Sequence, residues 1–137
     1  MITQIAVFLE NKKGRLGDMS KVLCDAGIDL TALTIADTKE FGIVRLIARD
    51  NERVLRALKD NGYAVTKTRL LAVEVADVPG GLYGVLKLLG DGGIEIEYLY
   101  SFARTGLKKA VILFKVDLPE KAEEILKSNA IGLIDEL

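Results

Sequence analysis

A shift of 66 residues lays the first half of the chain on the second. Asn11 meets Asp77, Gly14 meets Gly80, Leu16 meets Leu82, Gly27 meets Gly93, Ile28 meets Ile94 and Leu33 meets Leu99. Further on the shift becomes 68. There Val44 meets Ile112, Leu46 meets Phe114, Leu58 meets Leu126 and Asn61 meets Asn129, so the second copy carries a hairpin two residues longer around Thr105-Gly106. Coincident glycines and apolar positions at one period are hard to obtain by chance, and a fixed period constrains the fold more than any single motif. Whatever one half folds into, the other must fold into as well.

The pattern of one copy gives the unit. Thr3, Ile5, Val7 and Leu9 alternate onto one face of a strand over Ile2 to Leu9, and "ENKKG" ends it. Leu16, Met19, Leu23 and Ala26, with Val22 beside them, recur at helical spacing, and Gly27 is placed as the stop. Two β-rich runs, Ile28 to Thr38 and Phe41 to Arg49, are divided only by Lys39-Glu40 and predict a hairpin. Asp50 is expected to cap a second helix with Val54, Leu55 and Leu58 on its apolar face, Asn61-Gly62 closes it, and "YAVTKT" returns as a strand. The order is βαββαβ, twice, and the domains expected are 1–68 and 69–137. Units this small bury a low fraction of their surface, and "TKTRLLAVEV" offers no flexible spacer, so a rigid tandem pair is expected. In a split βαβ fold the helices cover one sheet face only. Yet "AVILF", residues 110 to 114, is apolar throughout, as a strand covered on both faces is, and a second copy of the chain is one candidate cover.

Composition removes several functions. The 137 residues are half hydrophobic, and 19 Lys and Arg against 20 Asp and Glu leave a net charge of −1, which gives no field for holding nucleic acid or an anionic membrane. There is no His, hence neither the commonest general base nor the commonest transition-metal ligand, and the lone Cys24 has no His to activate it. Catalytic residues, metal ligands and cofactors are therefore expected to be none. The beginning "MITQIAVFLENKKG" carries its charges after the apolar run and has no small-residue cleavage site, and no apolar stretch nears the length that spans a bilayer. A cytoplasmic location is expected.

The feature that invites a function is the junction "ADVPGGL", where a strand breaks at Asp77-Val78-Pro79-Gly80 and a helix begins. Alone it is ordinary turn chemistry, in which Pro79 pre-sets φ and Asp77 caps backbone N–H groups. A strand arriving at a helix start also gathers unpaired N–H groups before the positive end of the helix dipole, which suits an anion. A phosphate is one candidate, although no Gly-rich dinucleotide fingerprint is present. The carboxylate of a free amino acid is another, with Asp77 or Asn11 as acceptor for its ammonium. The same arrangement recurs as "ENKKGRL" in the first copy.

Here "VADVPGGLYGVLKLLGDGGIEIEYL" resembles the start of an ACT domain, a ligand-binding regulatory module whose pattern runs strand, Asp/Asn-x-Pro-Gly-x-Leu, helix, Gly-Ile-x-Ile. "LENKKGRLGDMSKVLCDAGIDLTAL" is similar, with Lys13 in place of the proline. Together the copies cover nearly the whole chain, so the chain resembles a stand-alone protein of two ACT domains. The resemblance implies an α+β fold of two ferredoxin-like units, packed as a continuous antiparallel sheet with helices on one face and each second strand at an edge. It implies side-by-side pairing through those edges, and so a homo-oligomer, a dimer. It further implies an amino-acid effector held between the strand-to-helix loop of one domain and the second strand of its neighbour. Carried over by position, the ligand-binding residues are Asn11, Gly14, Arg15 and Leu16 with Ile28, Asp29 and Leu30, and Asp77, Pro79, Gly80, Gly81 and Leu82 with Ile94, Glu95 and Ile96. Lys13 leaves the first loop less fixed and adds to a basic run with Lys12 and Arg15, so the two sites are expected to differ, the second binding more tightly or alone.

Other groups read as structure. Tyr98, Tyr100 and Phe102 share a parity that packs across an edge or offers a stacking platform, and Glu95 and Glu97 read as a solvated face rather than a paired-carboxylate or metal site. The expected function is a non-catalytic amino-acid sensor. The alternative is a dissociable regulatory subunit of an amino-acid metabolic enzyme, acting mainly through protein contacts. An RNA-binding module lacks its basic-aromatic strand, and a metal carrier lacks its Cys-x-x-Cys loop.

Overall fold

A computed structural model describes residues 1–38, 40–102 and 109–136. The expected Thr105-Gly106 hairpin lies outside the described residues, as does Lys39 of the shorter one. The fold is α+β, with a mainly antiparallel sheet and, among the described residues, four helices. The chain divides into two compact units, Thr3–Thr68 and Arg69–Leu137, and the second also takes in Met1–Ile2.

In the first unit β1 (Ile2–Glu10) leads to α1 (Arg15–Asp25), then β2 (Leu30–Asp37), β3 (Phe41–Ala48), α2 (Asn51–Asp60) and the start of β4 (Ala64–Ala76). The strand order is β2-β3-β1-β4. β1 and β3 are antiparallel, with Val7 opposite Val44 and Leu9 opposite Gly42, and β2 joins with Ile35 opposite Val44. The alternation seen in the sequence is what buries Ile5, Val7 and Leu9 with Val44 and Leu46 beneath Met19 and Leu23 of α1 and Val54, Leu55 and Leu58 of α2. Asp50 caps α2 as expected, accepting a hydrogen bond from the Arg53 N–H at 3.0 Å. Arg53 in turn donates from its guanidinium to the Ala26 carbonyl at the end of α1, where a cation suits the negative end of the helix.

The second unit repeats the plan. β4, which passes the boundary at residue 69 without a break, is followed by α3 (Gly81–Asp91), β5 (Ile96–Phe102), β6 (Lys109–Val116), α4 (Pro119–Ser128) and the two-residue β7 (Leu133–Ile134), in the order β5-β6-β4-β7. Leu71, Val73 and Val75 pack with Ile112 and Phe114 under Val85, Leu89, Ala122 and Leu126, and Met1 packs against the same cluster. Its ammonium group lies 2.5 Å from the Asp135 carboxylate. Val111 and Leu113, on the other face of β6 from Ile112 and Phe114, are also buried, so residues 111 to 114 are buried on both faces. No helix among the described residues is long and apolar enough to cross a membrane.

Candidate functional site

The two strand-to-helix junctions share one backbone device. Gly14 and Gly80 occupy the N-cap of α1 and α3 at φ of 83° and 89°, the left-handed region that glycine enters without strain. Neither Asn11 nor Asp77 caps its helix; both are exposed, as are Pro79 and Gly80. With a glycine at the cap, no side chain answers the first-turn N–H groups, and those of Leu16 and Gly17 in α1 stay without an intrahelical acceptor. The turns match as well: the Arg15 N–H donates to the Lys12 carbonyl at 3.3 Å, and the Gly81 N–H to the Val78 carbonyl at 3.1 Å.

The first junction borders a cavity of about 220 Å³. Its lining combines charged and aliphatic side chains. β1 supplies Leu9 and Glu10, the loop Asn11 and Lys12, the start of α1 Arg15 and Leu16, and the hairpin Ile35, Gly42 and Val44. The hairpin is tied to this place by the Asn11 N–H, which donates to the Glu40 carbonyl at 3.1 Å. Lys12 forms an ion pair with Glu10 at 2.8 Å. That hydrogen bond, then the charge of Lys12 and more weakly that of Arg15, holds the Glu10 carboxyl below the usual carboxylate range, so it is anionic at neutral pH. Arg15 lays its guanidinium over the Tyr63 ring, 5.7 Å from the centroid, and its Nε is buried without a hydrogen-bond partner.

Of the residues carried over from the motif, Asn11, Arg15 and Leu16 line this cavity, and Gly14 shapes the turn beside them. Ile28, Asp29 and Leu30 are not part of its lining; Ile28 and Leu30 pack instead against the first core. At the second junction, Leu82 and Ile96 pack against the second core, Ile94 is a buried member of it, and Glu95 is exposed with its N–H bonded to Asp117 Oδ1 at 2.9 Å. Gly81 has a local reason to be glycine: a Cβ there would run into the Ala76 carbonyl oxygen. The cavity is also lined by Leu9, Glu10, Lys12, Ile35, Gly42 and Val44, to which the motif does not point. The available signal was the repeat itself, since Ile35 and Gly42 fall opposite Ser101 and Ala110 of the second copy.

The remaining candidates resolve into ordinary structure. Glu97 pairs across the sheet with Lys115 at 3.3 Å, Tyr98 and Tyr100 are half-buried on β5, and the Phe102 side chain lies outside the described ones. Cys24 is exposed on α1. Among the described residues no three Cys, Asp or Glu side chains gather as a metal site does.

Fold and junctions together define a paired ferredoxin-like regulatory fold. The model of the ACT domain pair matches residues 1–137, and the chain belongs to that family. It is similar to protein BT0572 from Bacteroides thetaiotaomicron, with 39% identity and a TM-score of 0.91 over 97% of this chain and 91% of that one. It shares its fold with the ligand-free regulatory subunit of aspartate kinase from Thermus thermophilus, at 14% identity and a TM-score of 0.66 over 92% of this chain and 91% of that one. It also shares its fold with the aspartokinase alpha and beta subunits, at 17% identity and a TM-score of 0.61 over 92% and 90%. No curated protein matches the chain.

Proposed function

We propose that this is a non-catalytic regulatory protein of the cytoplasm that binds a free amino acid at the first strand-to-helix junction. It passes the event on through a change in ACT-domain pairing or in contact with a partner. The observation that carries this reading is the cavity of about 220 Å³ at the junction, lined by both charged and aliphatic side chains. There the unpaired N–H groups of the first turn of α1, reinforced by the positive charges of Lys12 and Arg15, suit a carboxylate. Glu10 and Asn11 offer acceptors for an ammonium. An effector held there shifts an equilibrium of assembly only by its differential affinity for the two arrangements.

The test is a calorimetric and thermal-shift screen of the purified protein against the common amino acids. At least one is expected to bind and to raise Tm as its concentration passes Kd, because a ligand of the folded state alone stabilises it by mass action. Failure of all of them sinks the reading.

A second reading, the dissociable subunit of an amino-acid metabolic enzyme, is favoured by a different feature. β2 ends the strand order of the first unit, and Leu33 and Ile35 on it are exposed, as are Phe8 and Phe41 nearby in the sheet. Apolar side chains on an unpaired strand edge suit a protein partner, a second copy of this chain included. Light scattering with and without the effector separates the two, since contact without effector binding supports only the subunit.

A further inference from the structure

The cavity's polar side chains, Glu10, Asn11, Lys12 and Arg15, all lie between the end of β1 and the start of α1, and Glu10 and Lys12 are bonded to one another. Among the described side chains the hairpin contributes Ile35, Gly42 and Val44, none of which carries a hydrogen-bonding group. Ile35 and Val44 are direct cross-strand partners, so the two aliphatic side chains form one wall, and Gly42, which has no side chain, lines the cavity beside it. Val44 is buried in the first core, while Ile35 and Leu16 each keep 41% of their surface exposed. That is apolar surface which a ligand can cover.

On the reading that this cavity takes an amino acid, we infer that the amino acid carries an aliphatic side chain and that Ile35 selects it. With the ammonium and carboxylate at the junction, the side chain projects toward Ile35, Gly42 and Val44. A hydroxyl, amide or charge placed there gives up its water without gaining a partner, whereas a branched hydrocarbon loses nothing and covers Ile35. The volume is below the usual range of roughly 300 to 1,000 Å³ for drug-sized ligands, which fits a small aliphatic ligand.

The test is titration calorimetry with valine against threonine and leucine against asparagine, pairs of similar shape that differ in polarity. It is run on the wild-type protein and on Ile35→Thr. Residue 35 is exposed on an edge strand and threonine is a good strand former, so the variant is expected to keep its fold, checked by its melting curve. The aliphatic member of each pair is expected to bind about tenfold or more tighter, and Ile35→Thr is expected to narrow that gap several-fold. Gly42→Val, which adds a side chain to the cavity lining, is expected to weaken binding of both. If some amino acid binds but a polar or charged one binds as tightly as the aliphatic ones, the inference fails and the sensor reading stands. If Ile35→Thr leaves the discrimination unchanged, Ile35 is not the selector. If no amino acid binds at all, both the inference and the reading beneath it are overturned.

Discussion

The first and second junctions have nearly the same backbone and different surfaces. Gly14 and Gly80 adopt the same left-handed conformation within a few degrees, and each turn closes with the same hydrogen bond. Around that shared frame, Glu10, Lys12 and Arg15 of the first copy stand where Ala76, Val78 and Gly81 stand in the second, and Ile35 stands where Ser101 does. The first junction thus carries Glu10, Lys12 and Arg15 with the aliphatic Ile35, whereas the second keeps the charge of Asp77 and has Ser101 at the place of Ile35. Duplication has kept the glycine that holds the helix start open, and Leu16 as Leu82, and changed the charged and hairpin side chains around them. A glycine-capped junction is a reusable frame, and its selectivity lives in residues outside the motif.

The comparison can be broken most decisively at the paired positions 15 and 81. Gly81→Ala pushes a Cβ into the Ala76 carbonyl and is expected to destabilise the protein by about 3 kcal/mol in chemical denaturation. Arg15→Ala, at the equivalent place, forfeits the stacking on Tyr63 and a weak attraction to Glu10 and is expected to cost about 1 kcal/mol or less. Equal losses would show that the two turns are not packed as differently as described. Where the junctions agree, the effects should agree: Gly14→Ala and Gly80→Ala are each expected to lower stability by about 1–2 kcal/mol, the usual penalty for a side chain in the left-handed region. For binding, Asn11→Ala is expected to weaken the effector about tenfold, or about 1.4 kcal/mol, while Asp77→Ala leaves it unchanged, with one site per chain in the isotherm. Two equal sites would reverse this ranking.

The smallest effect is electrostatic. Glu10 has a lowered pKa in the folded protein, so its contribution to stability is present above its unfolded pKa and is lost as pH falls through the folded one. The pair with Lys12 is exposed and contributes little. An NMR titration should place Glu10 below the ordinary glutamate range, and the stabilities of wild type and Glu10→Gln should converge in acid below it. Because Glu10 stays ionised, effector binding should not weaken on going from neutral pH down into that range.

How much of this was legible in the sequence follows from the range over which each feature is encoded. The element order and both cores rest on local periodicity and on the glycines that stop helices, and these could be read directly. The start of β2 could not. The run from Ile28 looks like strand, but Gly27 turns through φ 64° and the Ile28 N–H is committed to the Leu23 carbonyl, so the strand begins at Leu30. Asp50 was recognisable as a cap because it lies next to its helix, whereas Asn11 and Asp77 lie too far ahead of theirs and leave the cap to glycine. The polar lining of the cavity is contiguous with the motif and was found in part through it. The hairpin lining, Ile35 with Gly42 and Val44, depends on hairpin register, which brings together residues remote in the chain.

β6 is central in the second unit, paired with β4 on one side and β5 on the other, and its residues Val111 to Phe114 are buried on both faces. For amide hydrogen exchange this means that no local opening frees these N–H groups. They are expected to exchange only when the whole unit unfolds, with a pH-independent free energy of exchange equal to that of global unfolding under matched conditions. Those four amides are therefore the place to follow the unit's stability, and any effector bound elsewhere can be detected there only through its effect on the fold as a whole.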